Sequence, residues 1–225
     1  EPRARDPAGQ GVADVDARQL GEPATLERMG FCLEKHPTAV RDFRDDKAVG
    51  EIYYEEVREL VKRASGASRV FVFDSTIRET GVKNLNAAAG GAAAPVPRVH
   101  CDYTHEGAPR RLRQLGERGI FSHLKKRQMT TEEVDALAAG RYAFINVWRS
   151  IDKENAVARS PLAVCDEASV DPDEKFKYEL RFPDRTGETY SLRHSEKHKW
   201  YWYPAMSHDE FLVFQCFYKR KDSPR

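Results

Sequence analysis

The C-terminal half of the chain constrains the fold most. Between residues 142 and 219 lie six short apolar runs: YAFINVW (142–148), PLAVCD (161–166), KYELRFP (177–183), TYSLRH (189–194), KWYWYP (199–204) and EFLVFQCFYK (210–219). They are rich in β-branched and aromatic residues, and turn-forming residues separate them. PDRTGE at 183–188 reads as a hairpin turn. Strands this close together leave little room for crossovers, so they predict a sandwich, a barrel or a jelly roll. In EFLVFQCFYK both alternating faces are apolar, with Phe211, Val213 and Phe217 on one and Leu212, Phe214 and Cys216 on the other. A strand of that kind is predicted to be covered on both sides. The aromatic run Trp200-Tyr201-Trp202-Tyr203 suggests either an aromatic wall or alternate residues packed in a core.

The N-terminal half reads differently. Residues 1–14 are rich in Gly, Pro, Ala and charge and read as a flexible tail. GFCLEKH (30–36) predicts a short strand. Residues 47–65 predict a helix with Ile52, Tyr53, Val57, Leu60, Val61 and Ala64 on one face and Gly66 at its end. RVFVFD (69–74) predicts a buried strand, and NAAAGGAAAPVP (86–97) a flexible lead into the extended run RVHCDYT (98–104). EGAPRRLRQLGERG reads as a helix start with a basic, solvated face. TTEEVDALAAG (130–140) carries a capping-box signal and a terminal Gly140. The expected organisation is a tail over 1–14 and one domain over 15–225. The chain opens on Glu1 and stops at Arg225 just after a charged stretch, so this domain reads as truncated at its C-terminus.

Charge and cysteine usage narrow the class. Lys plus Arg number 37 against 36 Asp plus Glu, a net charge of +1 in 225 residues. That balance argues against a non-specific nucleic-acid binder, which needs excess cations to displace counterions. No apolar run approaches the ~20 residues of a membrane span, and the first residues lack a signal-peptide core. Cys32, Cys101, Cys165 and Cys216 include no CxxC pair, so a cysteine zinc site is not expected. Three of them sit in apolar strand-like stretches and read as unpaired thiols in a reducing, cytoplasmic setting.

The most informative local feature is His100-Cys101-Asp102. In a strand, residues i and i+2 point to one face, so imidazole and carboxylate would project together. With one more imidazole they would make the facial triad of a non-haem iron(II) oxygenase. The tripeptide alone fits a His–Asp hydrogen bond or a surface pair better. Its setting, after a Pro-bounded entry and ahead of jelly-roll-like strands, raises the case for a metal role.

Other segments add a resemblance. GFCLEKHPTAVRDFRDD (30–46), YYEEVRELVKRASGASRVFVFDSTIR (53–78), VHCDYT (99–104), FINVWRSI (144–151), SPLAVCDEASV (160–170) and KWYWYPAMSHDEFLVFQCFY (199–218) occur in one order over almost the whole chain. Together they resemble the hydroxylase/desaturase family of iron(II)- and 2-oxoglutarate-dependent oxygenases, which includes gibberellin desaturase and the AsaB and CmcJ types. The resemblance implies a mainly β fold with flanking helices, a cupin-like double-stranded β-helix or jelly roll. It implies that His100 and Asp102 bind Fe(II). Asn146 and Arg149, in the NVWR segment, would contact the 2-oxoglutarate carboxylates or the substrate, and Tyr103 would line the pocket. Dioxygen would be co-substrate, and a small-molecule metabolite would be hydroxylated or desaturated. No nucleic acid or membrane partner is implied, and oligomeric state is not indicated.

The chain departs from the family in one important way. The family's second iron-binding His and a later Arg would fall after Arg225. His194, His198 and His208 read as surface residues instead. Residues 115–130 look like an insertion, with Lys125, Lys126 and Arg127 as a solvated basic knot. Two alternatives to the oxygenase therefore stand. One is a non-catalytic jelly-roll binding or accessory module; the other is a cupin-like protein using a different metal with one of those three histidines.

Overall fold

A computed structural model describes residues 14–85, 91–116, 129–181 and 186–220. The chain forms strand β1 (Asp14–Asp16), a short helix α1 (Leu26–Met29), β2 (Phe31–Lys35), helix α2 (Asp46–Ala48) running through a wide turn (Val49–Tyr53) into helix α3 (Tyr54–Ser65), then β3 (Ile77–Arg78), β4 (Ala92–Ala93) and β5 (His100–Cys101). Helices α4 (Gly107–Gly116) and α5 (Thr131–Ala139) follow. Then come β6 (Tyr142–Arg149), β7 (Ala163–Cys165), β8 (Lys175–Arg181), β9 (Thr186–Leu192), β10 (Trp200–Trp202) and β11 (Glu210–Lys219). The six strands expected after residue 141 are all present, and strands dominate, with helices between them. Among the described residues no helix is long and apolar enough to cross a membrane.

The chain divides into two compact units. The first comprises residues 1–98, 147–170 and 194–214; the second comprises 99–146, 171–193 and 215–225.

In the first unit, β10 pairs in parallel with β1 and antiparallel with β7, and β2 pairs antiparallel with β11 from Phe31↔Phe214 to Lys35↔Glu210. Its core gathers Ala17, Ala24, Phe31, Val164, Tyr201, Tyr203, Met206 and Leu212. Tyr201 and Tyr203 of the aromatic run are therefore core residues. Thr25 caps α1, and Gly30, in the left-handed region at φ 77°, ends it. Gly66, at φ 67°, ends α3 as the sequence predicts, its N–H donating to the Lys62 carbonyl. The helix face buries Val57, Leu60 and Val61 as expected but differs at its N-terminal end. Tyr54, Val57, Leu60 and Val61 are buried, whereas Ile52 is exposed. The wide turn at Val49–Tyr53 adds a residue to one turn and swings Tyr54 inward, where its hydroxyl meets Ser75 Oγ at 3.0 Å. RVFVFD is also a correction: residues 69–74 form no strand, and Val70 to Phe73 are only half-buried. An apolar run without alternation does not specify which face to bury, so periodicity alone could not settle its conformation.

In the second unit, β9 pairs antiparallel with β5 and with β8. The β8–β9 ladder runs from Lys175↔Leu192 to Arg181↔Thr186, the hairpin expected at this point. Helix α5 begins with a full capping box, Thr130 with Glu133. Helix α4 lies against α5, where any Cβ on Gly116 would come within 2.9 Å of Val134 Cγ2.

Strands β6 and β11 each contribute residues to both units. β11 is covered on both sides only at Phe211, Leu212 and Val213. Beyond them Cys216 and Phe217 are half-buried and Tyr218 is exposed. Residues 1–13 of the expected tail, 86–90 of the Ala/Gly stretch, the basic knot within 117–128 and turn residues 182–185 lie outside the described residues.

Candidate metal centre

The Pro-bounded approach delivers His100 on β5, and Asp102 follows at the bend that ends the strand. Although the strand is only two residues long, the two side chains converge. His100 Nε2 lies 3.3 Å from Asp102 Oδ1, and both side chains are 36% exposed. One nitrogen and one carboxylate oxygen thus face each other at a partly open position. Neighbouring donor atoms on an octahedral ion with bonds of about 2.1 Å sit about 3 Å apart, so this pair fits two adjacent positions of such an ion. Among the described residues no group of three or more His, Cys, Asp and Glu could hold a metal, so the pair is not completed there.

The other carboxylate oxygen is engaged differently. Asn146, on β6, donates from Nδ2 to Asp102 Oδ2 at 2.6 Å. Cys216, on β11, donates its thiol to the same oxygen at 3.6 Å. Cys101 Sγ in turn donates to the Cys216 carbonyl at 3.0 Å. Burial works to raise the Asp102 pKa. The hydrogen bond and charge of His100, with the donors on Asn146 and Cys216, outweigh it and hold the carboxyl below its ordinary value. Burial, and then the neighbouring Asp102 carboxylate, push the Cys216 thiol well above its ordinary range, so it stays protonated and can donate. Cys216 carried no functional signal in the sequence. It lies 114 positions from Asp102 in an apolar strand, and only the folded chain brings them together.

Tyr103 stacks on Phe144 with ring centroids 4.3 Å apart, within a group that includes Tyr142 and Phe217. Its ring is placed by aromatic packing.

Arg149 belongs to the first unit and has its own surroundings. It is 8% exposed. Its guanidinium lies 4.1 Å from the Phe211 ring centroid, 5.7 Å from Phe43 and 5.9 Å from Tyr53. Nη2 donates to the His208 carbonyl, while Nε and Nη1 are buried without a hydrogen-bond partner. Burial lowers its pKa, and the Tyr53 hydroxyl, Asp209 and Glu56 offset this only in part.

The remaining histidines differ from one another. His194 is exposed, with Nε2 3.6 Å from Glu196 Oε1. His208 is half-buried, its Nδ1 3.1 Å from the Ser150 carbonyl. His198 corrects the surface reading: it is buried, with its ring 6.4 Å from that of Trp200.

None of the four cysteines is in a disulfide. Burial pushes the Cys32 and Cys165 thiols up to about 11.

Comparison with known proteins identifies the family. Residues 6–225 match the family described as oxidoreductase/YMDC permease-like domain. The chain is 32% identical over 218 residues to the hydroxylase/desaturase CTB9 of Cercospora beticola, covering 88% of this chain and 62% of that protein. It is 31% identical over 207 residues to the alpha-ketoglutarate-dependent dioxygenase phiK of Fungal sp. (strain ATCC 74256), covering 90% of this chain and 67% of the relative. The chain thus spans somewhat under two thirds of CTB9 and about two thirds of phiK. Among solved structures, the iron and alpha-ketoglutarate-dependent endoperoxidase NvfI superimposes with a TM-score of 0.75 at 25% identity, over 91% of this chain and 70% of that one. On these matches, and in keeping with its ordered sequence segments, the chain belongs to the hydroxylase/desaturase family of iron(II)- and 2-oxoglutarate-dependent oxygenases.

Proposed function

We propose that the chain is the catalytic part of a cytoplasmic non-haem oxygenase with a jelly-roll fold over residues 15–225. It would hydroxylate or desaturate a small-molecule metabolite with Fe(II), 2-oxoglutarate and dioxygen. The observation that carries this reading is the approach of His100 Nε2 to Asp102 Oδ1 at 3.3 Å with both side chains partly open. Relatives named as alpha-ketoglutarate-dependent dioxygenases support the same chemistry. Their fungal origin supports a substrate from secondary metabolism.

His100 and Asp102 would hold the iron; among the described residues no third His, Cys, Asp or Glu joins them. Bound iron with 2-oxoglutarate and dioxygen supplies the oxidising power that removes hydrogen from a substrate C–H bond. The chain's own contribution is to hold an imidazole nitrogen and a carboxylate oxygen ready before the metal arrives. The depressed Asp102 pKa keeps that oxygen anionic at neutral pH. Arg149 Nε and Nη1 are closed in by neighbouring side chains. For Arg149 the packing therefore favours supporting the chain around His208 over direct contact with 2-oxoglutarate. Tyr103, stacked on Phe144, would form part of the pocket wall.

The test is anaerobic Fe(II) titration, with 2-oxoglutarate turnover, on the protein and on the double variant His100→Ala/Asp102→Ala. Saturable binding by the parent and its loss in the variant is the expected result. Equal affinity in both would remove the pair from the metal centre.

A further inference from the structure

Each oxygen of the Asp102 carboxylate has a different set of neighbours. Oδ1 faces His100 Nε2 at 3.3 Å. Oδ2 accepts from Asn146 Nδ2 at 2.6 Å and from Cys216 Sγ at 3.6 Å. We infer that Asn146 and Cys216 are positioning residues that hold Asp102 so that it offers a metal one oxygen, Oδ1, rather than both. This inference rests on the metal role proposed for His100 and Asp102.

The physical argument concerns what a free carboxylate would do. It can rotate about its Cβ–Cγ bond, and it can bind a cation through one oxygen or through two. A short hydrogen bond to an ionised carboxylate is among the stronger polar contacts in a protein. Swinging Oδ2 onto a metal would break that bond and the weaker thiol contact together. The two donors come from β6 and β11, so the Asp102 side chain is held from two strands outside its own segment. Cys101 Sγ, donating to the Cys216 carbonyl at 3.0 Å, ties β5 to β11 at the same place. Asn suits this position because its amide can donate while carrying no charge. Asp in its place would repel the carboxylate.

The resemblance assigns Asn146 to 2-oxoglutarate or substrate. The hydrogen bond at 2.6 Å gives one N–H of its side-chain amide a protein partner, Asp102 Oδ2.

The test uses Co(II) as a spectroscopic stand-in and measures both its dissociation constant and its visible absorption bands. The unaltered chain is compared with Asn146→Ala, Asn146→Leu, Cys216→Ala, Cys216→Ser and the double variant His100→Ala/Asp102→Ala. The Asn146 variants should bind Co(II) about 10-fold or more weakly, within the 10–100-fold range typical of outer-shell partners. They should also show altered absorption bands. Thermal unfolding of the metal-free protein should move little. Cys216→Ala should weaken binding several-fold, and Cys216→Ser, which keeps a donor, should restore most of it. Asn146→Leu keeps the branched four-atom shape without a donor, so it serves if Asn146→Ala does not fold. Unchanged affinity and spectrum in a folded Asn146 variant would overturn the positioning role. An unaltered chain that binds Co(II) no better than the His100→Ala/Asp102→Ala variant would overturn the metal site itself, and the positioning role with it.

Discussion

Arg149 and Asp102 show two opposite ways of keeping a charge inside a protein. Arg149 in the first unit is almost wholly enclosed and surrounded by ring faces, with the Phe211 centroid 4.1 Å away and only one of its three nitrogens donating to a carbonyl. Asp102 in the second unit is partly open and held by directed donors on both oxygens. The first arrangement depends on shape, dispersion and the ring quadrupole, which tolerate small displacements. The second depends on hydrogen-bond geometry, which does not. One charge is wrapped by rings; the other is aimed by donors and left partly accessible.

Four substitutions can break or sharpen this contrast. The largest effect belongs to Phe211→Ala. Phe211 is 1% exposed and contacts the guanidinium, so denaturant unfolding should show a loss of about 3–5 kcal/mol. Next is Arg149→Ala, expected to cost about 2 kcal/mol through lost ring contacts and stem packing. Arg149→Met should recover most of that, because it keeps the stem and removes a poorly hydrogen-bonded buried cation. If Met were as damaging as Ala, the charge rather than the packing would be what matters. Asn146→Ala should cost metal-free stability only about 1 kcal/mol by the same measurement, since its partner is partly open to water. A loss there as large as at Phe211 would erase the distinction between wrapping and aiming.

The smallest effect is a third kind of charge handling. Glu210 receives the Arg18 guanidinium on both oxygens, at 2.8 and 3.1 Å. Burial raises its pKa, but the hydrogen bond from Arg18 and the backbone N–H of Ser207 outweigh it, leaving the pKa depressed. A depressed carboxyl pKa contributes stability that is fully present above the ordinary Glu value of about 4.3 and is lost as pH falls through the folded value. Glu210→Gln should therefore flatten the acid side of the stability profile while costing less than about 1 kcal/mol at neutral pH. Thermal unfolding across pH 3 to 7 would read it, and an unchanged acid limb would contradict it.

How much could be read in advance depended on how local the cause was. The hairpin of β8 and β9, the capping box at Thr130 and the stop at Gly66 are each specified within a few residues, and each is found. The inward turn of Tyr54 depends on a wide helical turn that no propensity signals. The irregular course of RVFVFD and the burial of His198 depend on what lies across from them. At the candidate site, His100 and Asp102 stood out because two positions separate them. Asn146 was noticed only by resemblance, and Cys216 not at all, because their shared partner is far away along the chain.

The way the backbone is shared between the units has a consequence for synthesis. The chain passes from one unit to the other at Arg98, Asn146, Val170, Arg193 and Phe214, so neither unit is a continuous stretch. A ribosome that has made His100, Asp102 and Asn146 must still deliver residue 216 before the last donor to that carboxylate exists. Contacts this distant along the chain close slowly and late. The surroundings of Asp102 are thus completed only after most of the chain has emerged, and a single proteolytic nick in any connecting segment would free neither unit intact.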